Sequence, residues 1–163
     1  QAVAAANGAH LIFRTSWVFG VHGQNFLKTM LRLAQERDAL SVVDDQIGAP
    51  TPAALLAQVP FDILRQLQER EDPRWGLYHL CPTEHTSWHG YACYLIRQAR
   101  EMGWSIRVTD DAIKAVDSSE FPVKATRPHN SRLCTQKLQN AFGLTLPAWQ
   151  SGVDQVLAQL DKQ

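Results

Sequence analysis

The sequence predicts an α/β protein: the end of a parallel sheet followed by a small α+β lobe. Three observations carry this. The runs His10 to Phe19 and Leu40 to Val43 are rich in apolar, β-branched and aromatic residues and alternate with helix-spaced segments, as in sheets covered by helices. The later part is dominated by helix-spaced stretches with short strand-like runs between them. The chain of 163 residues is 45% apolar and 20% charged, which is enough apolar matter for the core of one ordinary domain.

Taken in order, the Ala-rich Gln1 to Ala6 reads as the tail of a helix. His10 to Phe19 reads as a strand running into the loop of Gly20 and Gly23, and its Leu11-Ile12-Phe13 start suits a strand buried on both faces. Phe26 to Arg37 has helical spacing, with Phe26, Met30, Leu33 and Ala34 on one face and Asn25 as N-cap. A strand at Leu40 to Val43 leads into the turn-rich Asp44 to Pro50. Thr51 is placed as a cap and Pro52 in the first turn of a helix reaching about Glu69, with a kink or early break at Pro60. Gly76 to Leu80 follows as a strand. Ser87 then caps a helix from Trp88 to Met102 that stops at Gly103. Trp104 to Val108 reads as a strand and Ser119 to Pro128 as an extended loop. Two helices close the chain, Ser131 to Phe142 before Gly143, and Ala148 to Leu160 after Pro147.

The composition also excludes functions. A formal net charge of zero argues against nucleic acid as the main partner, because such binding needs a basic stripe. No apolar run reaches bilayer length and no secretory pattern opens the sequence, so a cytoplasmic protein without a membrane segment is expected. Cys81, Cys93 and Cys134 are odd in number and form no C-x-x-C pair, which suits reduced thiols. Cys81, His85 and His89 have a metal-like spacing, but Pro82 and the cap at Ser87 interrupt any helix joining them, and a metal site is rejected. No G-x-G-x-x-G, Walker loop, Tyr-x-x-x-Lys pair or G-x-S-x-G elbow occurs.

Three stretches carry functional signals, each with a bland counterpart. Thr15 to Phe19 ends the first strand, where open α/β sheets bind ligands; Trp17 there could face a sugar or base ring, or be core. Gly23-Gln24-Asn25-Phe26 enters a helix, where free N–H groups attract phosphate; Asn25 could add a donor, or simply cap. Arg127-Pro128-His129-Asn130-Ser131 offers an Arg fork suited to a diphosphate, or a solvated Arg beside a cap.

Together and in order, the motifs resemble one family. Phe13-Arg14-Thr15-Ser16-Trp17-Val18-Phe19, Asn25-Phe26, Leu31-Arg32-Leu33-Ala34 and Leu40-Ser41-Val42-Val43 are similar to the dTDP-4-dehydrorhamnose reductases. So are Asp45-Gln46-Ile47-Gly48-Ala49-Pro50-Thr51, Gly76-Leu77-Tyr78-His79-Leu80 and Arg127-Pro128 with Asn130-Ser131-Arg132-Leu133. The resemblance implies an extended short-chain dehydrogenase: a Rossmann domain, of which residues 1–50 supply the last strands and a helix, and a mainly helical substrate lobe over 51–163. It implies reduction of dTDP-4-dehydro-L-rhamnose to dTDP-L-rhamnose with NADPH or NADH. It places Trp17 against the rhamnose nucleotide, Asn25 and Arg127 at the diphosphate, and Gln46 in the signature loop facing the sugar. No catalytic residue is assigned here, since the family's Tyr-x-x-x-Lys pair and glycine-rich loop lie upstream of the matched segment; these residues alone are expected to be inactive. The alternatives are another extended short-chain dehydrogenase, such as a sugar-nucleotide epimerase or dehydratase, and a non-catalytic subunit like the methionine adenosyltransferase beta subunit. An unpaired edge on the Leu11 to Phe13 strand further suggests self-association.

Overall fold

The computed structural model describes residues 2–6, 8–69, 74–121 and 127–160. Its helices are α1 (Ala2–Ala6), α2 (Phe26–Glu36), α3 (Ala53–Gln68), α4 (Trp88–Glu101), α5 (Gln136–Phe142) and α6 (Trp149–Leu160). Its strands are β1 (Leu11–Arg14), β2 (Val18–Phe19), β3 (Leu40–Val43), β4 (Ile47–Gly48), β5 (Thr51–Pro52), β6 (Gly76–His79), β7 (Thr86–Ser87) and β8 (Ile113–Val116).

The strands pair two by two. β1 runs parallel to β6, with Leu11 opposite Gly76 and Arg14 opposite His79. β2 runs parallel to β5, and β3 runs parallel to β8, with Leu40 opposite Ile113. β4 and β7 are antiparallel, Ile47 facing Ser87, and Ile47 also bridges to Asn130. The loop between β3 and β5 is thereby tied to the start of α4 and to the segment around residue 130.

Three apolar clusters fill the interior. Leu11 and Phe13 of β1 pack with α3 and α5 through Val59, Ile63, Tyr78, Leu138 and Phe142. A second cluster joins α2, α4 and α6 through Leu27, Leu31, Tyr91, Leu95, Val153 and Leu157. The third lies under β3 and β8, where Ala34, Val42, Ala92, Ile96 and Ile113 meet. Residues on both sides of position 50 contribute to each cluster.

Several expectations are corrected. The strand from His10 to Phe19 is broken after Arg14, because Trp17 adopts a left-handed backbone at φ 49°, a region bulky residues rarely enter. The buried line of α2 is Leu27, Leu31 and Ala34; Phe26 and Met30 border a cavity instead. Thr51 lies in β5 and its hydroxyl donates to the Ala49 carbonyl at 3.1 Å. Pro52 is the N-cap residue of α3, which runs through Pro60 without a break. Packing of Val59 and Ile63 on both sides of that proline outweighs the lost backbone bond.

Trp104 to Val108 is not a strand. The Arg107 and Val108 N–H groups both donate to the Ala34 carbonyl at 2.9 and 3.1 Å, so they close the end of α2 rather than build a ladder. β8 was not expected from the sequence, nor were the two-residue strands β4, β5 and β7. The helix at Ser131 begins only at Gln136, since the Ser131 N–H donates to Ile47 at 2.8 Å and the Arg132 N–H to the Asn130 side chain at 3.1 Å. Within the stretch read as extended, Ser118–Glu120 forms a 3-10 turn, and residues 122–126 lie outside the described residues. Local signals elsewhere hold: Asn25 and Ser87 cap α2 and α4, and Gly143 closes α5 at φ 63°.

Among the described residues, no helix is long and apolar enough to cross a membrane, and no group of three or more His, Cys, Asp or Glu side chains is arranged to hold a metal. The three cysteines are free.

Candidate functional site

Three consecutive residues of the β3–β4 loop each fasten a different element. Asp44 accepts a short hydrogen bond from the Ser87 hydroxyl, which itself caps α4 by accepting from the Gly90 N–H at 2.9 Å. His89 Nδ1 stands 3.7 Å from the same carboxylate. Asp45 accepts from the Ser118 N–H at 3.2 Å and from its hydroxyl at 2.7 Å, and its Oδ2 lies 3.3 Å from His129 Nδ1. Gln46, a buried polar side chain only 8% exposed, accepts from the Trp88 indole N–H at 3.3 Å. Local geometry makes this possible, because β4 is pinned between β7 and the 130 segment.

Trp88 is the junction of the site. Its ring stacks on Trp17 at 3.7 Å between centroids and 14° between planes, an aromatic contact worth about 1 kcal/mol beyond burial. Gly48 covers the other face of Trp17: a methyl group there would lie 2.5 Å from Cε2, 2.8 Å from Cζ2 and 2.9 Å from Cδ2. With Trp88 on one face and Gly48 on the other, the Trp17 indole offers a ligand its edge. Its N–H has no partner among the described residues.

Two cavities meet at this junction. The first, of about 380 Å³, is lined by Met30, Ser41, Gln46, Ser118, Phe121 and His129. The second, of about 340 Å³, is lined by Trp17, Phe19, Thr29 and Tyr91. Phe26, Trp88 and Arg127 border both. Arg127 is exposed, and its guanidinium has no partner among the described residues. Tyr91 is fully buried, so desolvation pushes its pKa well above 10 and keeps the phenol neutral. These volumes and mixed linings suit a small organic ligand with a few fixed polar groups.

Of the residues singled out from sequence, the fold brings Trp17, Gln46 and Arg127 together around Trp88. Asn25 stands apart. Its side chain accepts from the Lys28 N–H at 3.1 Å and donates to the Gly20 carbonyl at 2.7 Å, and it borders a different cavity with Gln24, Pro52 and Gln155. The sequence reading missed Trp88, His129, Ser118 and Phe121 as site residues. Trp88 was visible only as the first residue after a cap, and no local pattern links it to Trp17 or Gln46.

The family model described as the RmlD substrate binding domain matches residues 1–162. The chain is 48% identical over 151 residues to dTDP-4-dehydrorhamnose reductase of Shigella flexneri, covering 93% of this chain and 50% of that protein. To the Burkholderia thailandensis protein of the same name it is 39% identical over 155 residues, covering 93% and 52%. The chain thus spans about half the length of the curated relatives it matches. The crystal structure of a dTDP-4-dehydrorhamnose reductase ortholog from Clostridium acetobutylicum superposes with a TM-score of 0.82 at 30% identity, over 98% of this chain and 51% of that one. That of the Bacillus anthracis enzyme in complex with NADP gives 0.78 at 32% identity, over 91% and 48%. A dTDP-glucose 4,6-dehydratase from Bacillus anthracis, at 14% identity and a TM-score of 0.67, shares the fold alone. The α/β class with its Rossmann-like parallel strand pairs is borne out by the two reductase structures. With its two cavities closed by a tryptophan stack and its whole described length matched, the chain belongs to the RmlD substrate-binding-domain family.

Proposed function

We propose that these residues form the sugar-nucleotide-binding portion of a dTDP-4-dehydrorhamnose reductase, which reduces dTDP-4-dehydro-L-rhamnose to dTDP-L-rhamnose. The observation that carries this is the pair of cavities sharing Arg127 and Trp88. A nucleotide sugar has two ring-bearing ends joined by a diphosphate. The first cavity, with Gln46, Ser41 and Ser118, suits the base and pentose, so Gln46, which the resemblance placed toward the sugar, is assigned here to the base instead. Arg127, at the border, supplies a planar fork for the diphosphate. The second cavity takes the sugar, with the Trp17 indole N–H available to a hydroxyl. Asn25, which borders a separate cavity, enters the proposal only indirectly, through the α2 N-terminus whose first turn it caps. The division near residue 50 into a sheet portion and a substrate lobe belongs to it as well.

NADPH or NADH is the cofactor of such a reductase, and it supplies the hydride. The residues present do not fit its main seat: the sequence has no glycine-rich pyrophosphate loop and no Tyr-x-x-x-Lys pair. The part these residues play is to bind and orient the substrate and to keep water from its apolar contacts. A cytoplasmic setting follows from this reading and suits three free thiols. Self-association through the β1 edge is also proposed, and a concentration-independent monomer mass in light scattering would refute it.

The test is a calorimetric titration of the full chain with dTDP-L-rhamnose, alongside Trp17→Ala and Arg127→Ala. Saturable binding is expected, weakened about 30-fold or more by loss of the Arg127 charge-assisted bonds and more strongly at low salt. Binding that ignores both substitutions would overturn this assignment of the site.

A further inference from the structure

Trp88 does more than fill the junction between the cavities. An indole N–H can only donate, so the Gln46 atom facing it at 3.3 Å must be the amide oxygen. This assignment follows from donor chemistry, whichever way an amide would otherwise be placed. With the oxygen held by Trp88, the remaining polar group of Gln46 is its NH₂, which has no partner among the described residues. Gln46 lines the first cavity and is only 8% exposed. With the oxygen turned toward the indole, the arm of the amide left for the cavity is its NH₂ donor.

Trp88 is itself held in place. Its ring is stacked on Trp17 at 3.7 Å and packed against Phe26 at 4.6 Å between centroids. Its position at the first turn of α4 is fixed by the Ser87 cap and the Asp44 contact. A flip of the Gln46 amide would set its NH₂ against the indole N–H, leaving two donors facing each other in a buried place, which is costly. Of the other polar side chains bordering this cavity, Ser118 is tied to Asp45 and His129 to the same carboxylate, while Arg127 has no partner among the described residues and the Ser41 hydroxyl can turn to donate or accept.

We propose that Trp88 is a specificity-determining residue: by locking the Gln46 amide oxygen, it makes the first cavity select a base bearing a ring carbonyl over one bearing an exocyclic amino group at the same place. This rests on the reading of that cavity as the base site. Uracil and thymine carry a 4-oxo acceptor where cytosine carries a 4-amino donor, so the locked amide accepts the former and opposes the latter. An unlocked amide serves both equally by turning over. The indole thus supplies selectivity without touching the base edge it selects, and its role toward the base is one of positioning.

The experiment compares dUDP and dCDP, which differ only in the base edge in question, by calorimetry on the full chain at one salt concentration. The wild-type chain is expected to favour dUDP by about tenfold or more, the equivalent of one well-placed hydrogen bond. Trp88→Phe keeps an aromatic ring against Trp17 but removes the N–H, and Gln46→Met removes the amide. In both variants the dUDP-to-dCDP ratio is expected to fall to within about threefold of one. A purely structural loss would weaken both nucleotides by the same factor and leave the ratio unchanged; that result in both variants overturns the proposal. Equal wild-type affinity for the two nucleotides overturns it directly. If the wild-type chain binds neither nucleotide and no dTDP-sugar, the site reading itself falls and takes this inference with it; binding without base discrimination sinks the inference alone.

Discussion

Replacing Gly48 by alanine asks whether the Trp17 sandwich is as tight as its geometry states. The added methyl would sit 2.5 Å from Trp17 Cε2, about an ångström inside ordinary carbon contact. Trp17 cannot retreat, because Trp88 is stacked on its far side at 3.7 Å, and Trp88 in turn is backed by Phe26. The indole must therefore leave the stack. Overpacking of this kind costs about 1–3 kcal/mol, and the lost aromatic pair adds about 1 kcal/mol. Part is returned if the strained backbone at Trp17, φ 49°, relaxes. A net destabilisation of about 2 kcal/mol is expected from urea denaturation of Gly48→Ala. The decisive comparison is a double-mutant cycle with Trp17→Ala. Once the indole is gone the methyl has room, so Gly48→Ala should then cost less than about 0.5 kcal/mol, giving a coupling of at least about 1.5 kcal/mol. An equal cost in both backgrounds would refute the sandwich and with it the claim that a ligand meets only the edge of Trp17.

Other outcomes follow from the same contacts. Ser87→Ala removes the α4 cap and the Asp44 partner together and should destabilise by about 1–2 kcal/mol; a change below about 0.5 kcal/mol by thermal unfolding would contradict this. Tyr91→Phe deletes a buried hydroxyl that has no partner among the described residues, so stability should be unchanged or slightly higher, and a loss above about 1 kcal/mol would reveal a bond not accounted for. Cys81 is fully buried, and burial, with Cys134 adding to it, pushes its thiol from 9.0 up to about 11. Exposed Cys134 should therefore react with a thiol reagent in the native protein, while Cys81 reacts only on unfolding. Because the folded thiol holds its proton more tightly than the unfolded one, its stabilising contribution is complete below pH 9 and fades between pH 9 and 11. A shift of that size is no more than about 3 kcal/mol, and Cys81→Ser should lack that alkaline loss.

Much of the chain was legible without coordinates where the signal is local. The caps at Asn25 and Ser87 and the left-handed glycine at Gly143 depend on a few neighbouring residues, so reading them needs no tertiary knowledge. The strands Leu40–Val43 and Gly76–His79 and the helices from Phe26, Trp88 and near Ala148 were visible for the same reason, as were the motifs that place the chain in its family. Reading failed where distant partners outbid local preference. The helix expected from Ser131 yields its first turns to a bridge with Ile47, and the strand expected at Trp104 gives its donors to the end of α2.

The site divides in the same way. Its residue types were in the sequence: a tryptophan after a strand, a glutamine in a turn-rich loop, an arginine before a proline. Their assembly was not, because it depends on Trp88, which lies far along the chain from Trp17 and Gln46 and meets them only when α4 docks beside β4. Gly48 shows the limit most clearly. By itself it is one more glycine in a loop, and only the packed indole above it explains why no larger residue fits. Local chemistry determines where a helix can begin or a chain can turn; which side chains share a cavity is decided by the packing of whole elements, which short-range spacing does not encode.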